Sequence, residues 1–202
     1  NDNDFQSYTL YESFSSDMSG QTEIYNTNSN TETSYTVTGV SENEIRYYQI
    51  VVEDIWGLQS DSVVDNFGFI TDIDGNVYQI VQIGDQVWMA ENLKVTHYRN
   101  GDEIPTGYSN SEWEDLNIWS RGAYAVYGDN PANADVYGYL YNWYALDDIR
   151  NIAPEGWHVP TDGEYTALSD YLGGESVAGG KMKDNVNWNG TNESGFSALP
   201  GG

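Results

Sequence analysis

With no cysteine among its 202 residues, the chain would have to build any acid, base, nucleophilic or metal chemistry from two histidines, its hydroxyls and 32 carboxylates. A disulfide framework, a thiolate zinc site and a cysteine nucleophile are therefore excluded. His158 stands in "APEGWHVPTDGEY", residues 153–165, and His97 in a different segment. A triad would need a positioned serine beside one of them, and a metal site would need further ligands at suitable spacing. His158 is expected instead to pack and to satisfy a neighbouring backbone or side-chain group. "DIDGN", residues 72–76, alternates three oxygen-bearing side chains as a calcium loop does. An EF-hand loop, however, places glycine sixth and glutamate twelfth, whereas Gly75 is fourth and Ile83 twelfth. A type I′ hairpin at Asp74-Gly75 is the expected reading. No catalytic residue, metal or cofactor is assigned, and the chain is read as not an enzyme. The candidate ligand-binding residues are Tyr108, Trp113 and Trp119, whose rings in a long polar stretch either stack on the apolar faces of sugars, anchor a partner, or cover the core from outside. Asn189 and Asn192 begin Asn-x-Ser/Thr sequons, which carry little meaning if the source is bacterial.

These residues need elements to hold them. Thr161 and Glu164 form a Ser/Thr-x-x-Glu capping box after Pro160, and Tyr165, Leu168, Tyr171 and Leu172 follow at helical spacing until Gly173-Gly174. The spacing predicts a strand running into a capped helix, with Trp157 buried beside the cap, and a second short helix over residues 175–183. Residues 69–93 read as a three-strand meander turning at Asp74-Gly75 and Gly84-Asp85, with Val77, Ile80, Ile83 and Val87 on the apolar face. Residues 98–122 read as loop, "GAYAVYG" as strand, and "VYGYLYNWYALDD" as a buried helix or strand that periodicity does not separate.

Before residue 66 the texture differs. Short segments rich in Tyr, Val, Ile and Thr alternate with Gly, Asn and Ser about every ten residues, the pattern of an antiparallel sandwich. Residues 1–66 carry 12 acids and 1 base and residues 67–202 carry 20 and 6, contributing −11 and −14 to a net charge of −25. Such a field repels phosphate backbones and anionic lipid head groups, which argues against nucleic acid and membrane-surface partners. No apolar run is long enough to span a bilayer, and an export signal, if the protein is exported, is expected upstream.

"TDIDGNVYQIVQIGDQVWMAENLK", "YGYLYNWYAL", "APEGWHVPTDGEYTALSDYLGG" and "NESGFSALPGG" together resemble the Fibrobacter succinogenes major paralogous (FISUMP) domain over residues 69–202. That domain is similar to the C-type-lectin-like and formylglycine-generating-enzyme-like fold. The relatives with enzymatic activity use cysteine, which is absent here, and the Glu-Pro-Asn, Gln-Pro-Asp and Trp-Asn-Asp motifs of calcium-dependent lectins do not occur. "YTLYESFSSDMSG", "TSYTVTGV", "IRYYQIVVED" and "GLQSDSV" resemble the later strands of a fibronectin type III domain, with Tyr48, Ile50 and Val52 inward and Arg46 where a corner tyrosine is expected.

The expected architecture is β-rich: a partial fibronectin type III-like β-sandwich over 1–66, then an incomplete C-type-lectin-like α+β domain over 67–202, C-terminally truncated. The resemblance implies an extracellular or cell-surface location beside neighbouring domains of a longer chain. The expected role is non-catalytic, either binding or adhesion to polysaccharide or a surface protein, or a structural module of an appendage or stalk.

Overall fold

The computed structural model describes residues 4–200 and divides between Phe69 and Ile70 into two compact units. It is β-rich, with antiparallel pairing and short helices.

In the first unit, β1 (Phe5–Ser13) lies between β2 (Thr22–Thr27) and β3 (Arg46–Asp54), antiparallel to both. The other edge of β3 pairs with β4 (Gln59–Asp61) and with the start of β5 (Asp65–Thr71). The inward positions of β3 are Tyr47 and Val51, buried with Met18, so the expected inward set is corrected: Ile50, on the opposite face, is 44% exposed. A shift of one residue exchanges the two faces of a strand, and the Tyr-Tyr pair at 47–48 offered the sequence no means of choosing between them. Arg46 ties three segments together, donating to Glu12 Oε2 at 2.9 Å and to the Gly39 carbonyl at 2.8 Å while pairing with Glu44.

In the second unit, the end of β5 leads through a turn into β6 (Val77–Ile83), and β6 pairs with β7 (Gln86–Met89) across Gly84-Asp85. The first turn is not type I′, which needs positive φ at both central residues. Gly75 has φ 82°, Asp74 is not among the residues with positive φ, and the turn runs over five residues, with Asp72 N donating to the Asn76 carbonyl at 3.0 Å. The expected apolar face is corrected too. Val77 and Val87 are largely exposed, whereas Tyr78, Ile80, Val81, Ile83 and Trp88 are buried. Burial of the adjacent Ile80 and Val81 means that β6 is covered on both faces, and strict alternation fails there.

One face of this hairpin meets two helices, α4 (Asp162–Tyr171) and α5 (Glu175–Met182), defined once the preceding elements are placed: α1 (Asn110–Asp115), β8 (Tyr124–Ala125), α2 (Ala134–Tyr137), β9 (Leu140–Tyr141) and α3 (Trp143–Leu146). Val81, Ile83, Trp88 and Ala90 pack with Leu168 of α4, Leu172 at its C-cap and Ala178 of α5. The capping box forms as expected: Thr161 accepts from Glu164 N, and Glu164 accepts from Thr161 N. An identical device, Ser109 with Glu112, starts α1 inside the stretch expected to be loop. The ambiguous aromatic run is neither one helix nor one strand but α2, β9 and α3 in succession, with β9 paired to β8. The strand expected before α4 is absent; Pro154–Trp157 is a turn, with Trp157 N donating to the Pro154 carbonyl at 3.0 Å, and Thr161 at the helix entry is extended.

Leu168 sits at the centre of the helix-to-hairpin contact, 1% exposed. Leu168→Ala is expected to lower unfolding free energy by about 2–5 kcal/mol in a denaturant titration; a loss below about 1 kcal/mol would show that α4 is not packed as described.

Candidate functional site

Tyr108 is half-buried just before the cap of α1, Trp113 is half-buried within α1, and Trp119 lies beyond its end, 74% exposed. No ring contact joins the three among the described residues. Trp119 thus does not cover the core.

Aromatic rings do converge elsewhere in the second unit. A cleft of about 420 Å³ opens between the segment after β7, the stretch from Tyr137 to Tyr141, and the irregular loop from Ile152 to Pro160. Its volume falls within the roughly 300–1,000 Å³ typical of small-ligand sites. Tyr137, Tyr139, Tyr141, Trp157 and His158 supply rings, and Leu93, Leu146, Ile152 and Val159 supply aliphatic floor.

Each wall has an identifiable support. The approach of α2 and β9 to the segment after β7 is fixed by two hydrogen bonds, Asn92 Nδ2 to the Tyr137 carbonyl and Tyr139 N to the Leu93 carbonyl, both 3.0 Å. Gly138 allows it, because φ is 67° and a Cβ would stand 2.5 Å from the Leu93 carbonyl oxygen. Tyr139 continues into a ring cluster, with its centroid 4.5 Å from Tyr124 and 6.4 Å from Tyr141. The Tyr141 hydroxyl donates to the Val95 carbonyl at 2.7 Å, and burial pushes its ionisation far above the ordinary tyrosine range.

The opposite wall has no ladder to satisfy its carbonyls, and a guanidinium does so instead. Arg99 donates to the carbonyls of Ala153, Pro154 and Trp157 at 2.7–3.1 Å, and its own backbone N–H donates to the Asn151 carbonyl at 2.8 Å. Trp157, expected to be buried, is half-buried in the cleft wall.

Both histidines serve carboxylates that fasten turns. His158 Nε2 lies 2.8 Å from Glu164 Oε1, while Thr161 donates N–H and O–H to Glu164 Oε2 at 2.8 Å each. These bonds, the Thr161 backbone and hydroxyl first and His158 after them, hold the Glu164 carboxyl down at about 2. His97 pairs with Asp74, which also accepts the Thr96 amide and hydroxyl. Although burial alone would raise the Asp74 carboxyl, those donors hold it below the usual range. In "DIDGN" the oxygens are occupied by the protein: Asp72 accepts from Asp74 N, Asn76 N and Asn76 Nδ2, all at 2.9 Å, and from the Tyr78 hydroxyl at 2.6 Å. Among the described residues no group of three or more His, Asp or Glu could hold a metal ion.

Sequence reasoning missed the cleft. Its signals were the aromatic density of "VYGYLYNWYAL" around one glycine and the Trp-His pair between Pro154 and Pro160, but neither segment reveals from spacing that the other lies opposite.

The fold and cleft define a β-rich unit with short helices and a ring-lined depression. The chain belongs to the Fibrobacter succinogenes major domain family, whose profile matches residues 81–202. No curated protein and no solved structure matches it.

The depressed Glu164 carboxyl has a definite pH consequence. A folded value of about 2 against an ordinary 4.5 means that its contribution is present above pH 4.5 and lost as pH falls through 2. Thermal melts of the parent and Glu164→Gln should therefore differ most near pH 6 and converge as pH falls toward 2. A gap independent of pH would mean that the carboxylate form is not what the cap uses. At neutral pH, Thr161→Ala should cost about 1 kcal/mol.

Proposed function

We propose that the chain is a non-catalytic module of a secreted or surface-anchored bacterial protein, and that its second unit binds a polysaccharide or a protein partner. The observation that carries this reading is the cleft itself. Rings and aliphatic side chains form its walls, and its one histidine is engaged by a helix-capping carboxylate rather than by a nucleophile. Such a site is built to hold a ligand by contact and hydrogen bonding. The resemblance to FISUMP domains supports an extracellular or cell-surface setting among neighbouring domains. On the same grounds the first unit is read as fibronectin type III-like and the second as C-type-lectin-like, with no nucleic acid partner given the charge of −25.

A second reading, a structural module of an appendage or stalk, is favoured by one feature of the first unit. The β3–β4 hairpin presents Ile55, Trp56 and Leu58 to solvent, with its turn pinned by Asp54 Oδ1, which accepts from Trp56 N and Leu58 N at 2.9 and 2.8 Å. A rigid turn carrying exposed apolar side chains suits packing against another module.

Retention of the full chain on a panel of immobilised polysaccharides and purified bacterial surface proteins separates the two. Saturable retention on at least one member, competed by the same ligand in solution, is expected. No retention on any member, together with concentration-dependent assembly of the chain into ordered filaments, would favour the structural role.

A further inference from the structure

We propose that the ring-lined cleft of the second unit is a subsite for an uncharged pyranose, which lays its C–H face on Trp157 and Tyr139 and offers its hydroxyls to the rim. This deepens the binding reading given above and rests on it.

Three observations select this chemistry. First, the lining is uncharged: no Asp, Glu, Lys or Arg contributes to it among the described residues. A phosphate, uronate or ammonium group would find no counter-charge there, and the chain's charge of −25 further opposes an anionic polymer.

Second, the backbone around the cleft is already committed. The Tyr139 and Trp157 amides donate to Leu93 and Pro154, the carbonyls of Ala153, Pro154 and Trp157 accept from Arg99, and the Tyr137 carbonyl accepts from Asn92. An extended peptide, which binds by pairing its own amides and carbonyls with free backbone, finds no edge to join.

Third, side-chain groups at the rim remain unspent. The hydroxyls of Tyr137 and Tyr139 have no hydrogen-bond partner among the described residues, Asn92 uses only its amide nitrogen, and His158 uses only Nε2. Tyr137, Tyr139, Asn92 and His158 line the cleft together with Leu93, Leu146, Ile152 and Val159, so the lining combines polar-tipped and aliphatic side chains. A ligand complementary to that arrangement is apolar on its face and hydroxylated around its edge. A pyranose ring has that form, and aromatic side chains with a polar tip match it.

The test is isothermal titration of the full chain with soluble gluco-, manno-, galacto- and xylo-oligosaccharides. Oligogalacturonide serves as the anionic arm, a basic proline-rich peptide as the peptide arm, and each titration is run with and without EDTA. At least one neutral series should bind saturably and equally in EDTA, and oligogalacturonide should not. Trp157→Ala should weaken that binding roughly tenfold, while Tyr139→Phe, which deletes one oxygen, should weaken it several-fold with an unchanged melting temperature. Trp119→Ala should leave it as in the parent. Should the neutral sugars fail while the peptide binds, or should sugar binding survive Trp157→Ala and Tyr139→Phe but vanish in Trp119→Ala, the assignment to this cleft is wrong and the broader binding reading stands. If no sugar or peptide binds and nothing in the retention panel is held, both fall.

Discussion

The second unit is organised around a buried carboxylate that must be fully paired. Asp72, 7% exposed, lies beside Tyr78, which has no exposed surface, and a carboxylate so placed is costly unless every oxygen finds donors. Two backbone amides of its own turn supply Oδ1, and Asn76 Nδ2 with the Tyr78 hydroxyl supplies Oδ2. The Tyr78 oxygen also accepts from Lys94 N at 3.0 Å. The pairing therefore does more than close a turn, because it fixes the chain leaving β7 against β6. Burial and the Asp72 bond together push the Tyr78 hydroxyl far above its ordinary ionisation range, so it stays a donor throughout the usable pH range.

From Lys94 the constraint passes outward. Val95, fully buried, packs with Tyr98, Ile104, Ala145 and Ile152, and its carbonyl accepts the Tyr141 hydroxyl. Tyr141 is a wall of the cleft, and Ile152 begins the opposite wall. A continuous series of contacts thus links the first turn of the unit to the rings that line the cleft. It explains how an irregular loop, held by Arg99, can present half-buried aromatics in a fixed arrangement. Preorganisation of this kind lowers the ordering cost of binding. The two histidines belong to the same economy of turns: each reinforces a carboxylate already paired with a threonine, His158 beside Glu164 and Thr161, and His97 beside Asp74 and Thr96, whose hydroxyl also lies 3.0 Å from His97 Nδ1.

Legibility in the sequence followed the range of the interactions. The α4 cap was readable because Thr161 and Glu164 satisfy each other within one turn, and Gly84-Asp85 because a two-residue hairpin is local. Ser109 and Glu112 carry the same signal, masked by the Gly and Pro that surround them. Periodicity misjudged β3 because tyrosines stand on both of its faces, and β6 because both of its faces are covered. The candidate aromatics stand out in the sequence as rings in a polar stretch; Trp119 is exposed there, while Tyr108 and Trp113 are half-buried. The cleft is not legible because its lining runs from Met89 to Leu199, 110 residues apart in the chain, and only long-range packing brings it together. In the DIDGN turn, Asp72 takes Tyr78 as a partner, and in the sequence Tyr78 reads as an ordinary strand residue.

Equilibrium unfolding of Tyr78→Phe, with stability measured in denaturant against the parent, tests this organisation most directly. The substitution preserves the ring and its packing while removing the single oxygen that joins Asp72 to Lys94. A loss of about 1–3 kcal/mol is expected, because a buried carboxylate and a backbone amide each lose a partner. A variant as stable as the parent, or more stable, would show that the buried Asp72 pairing does not hold the unit together.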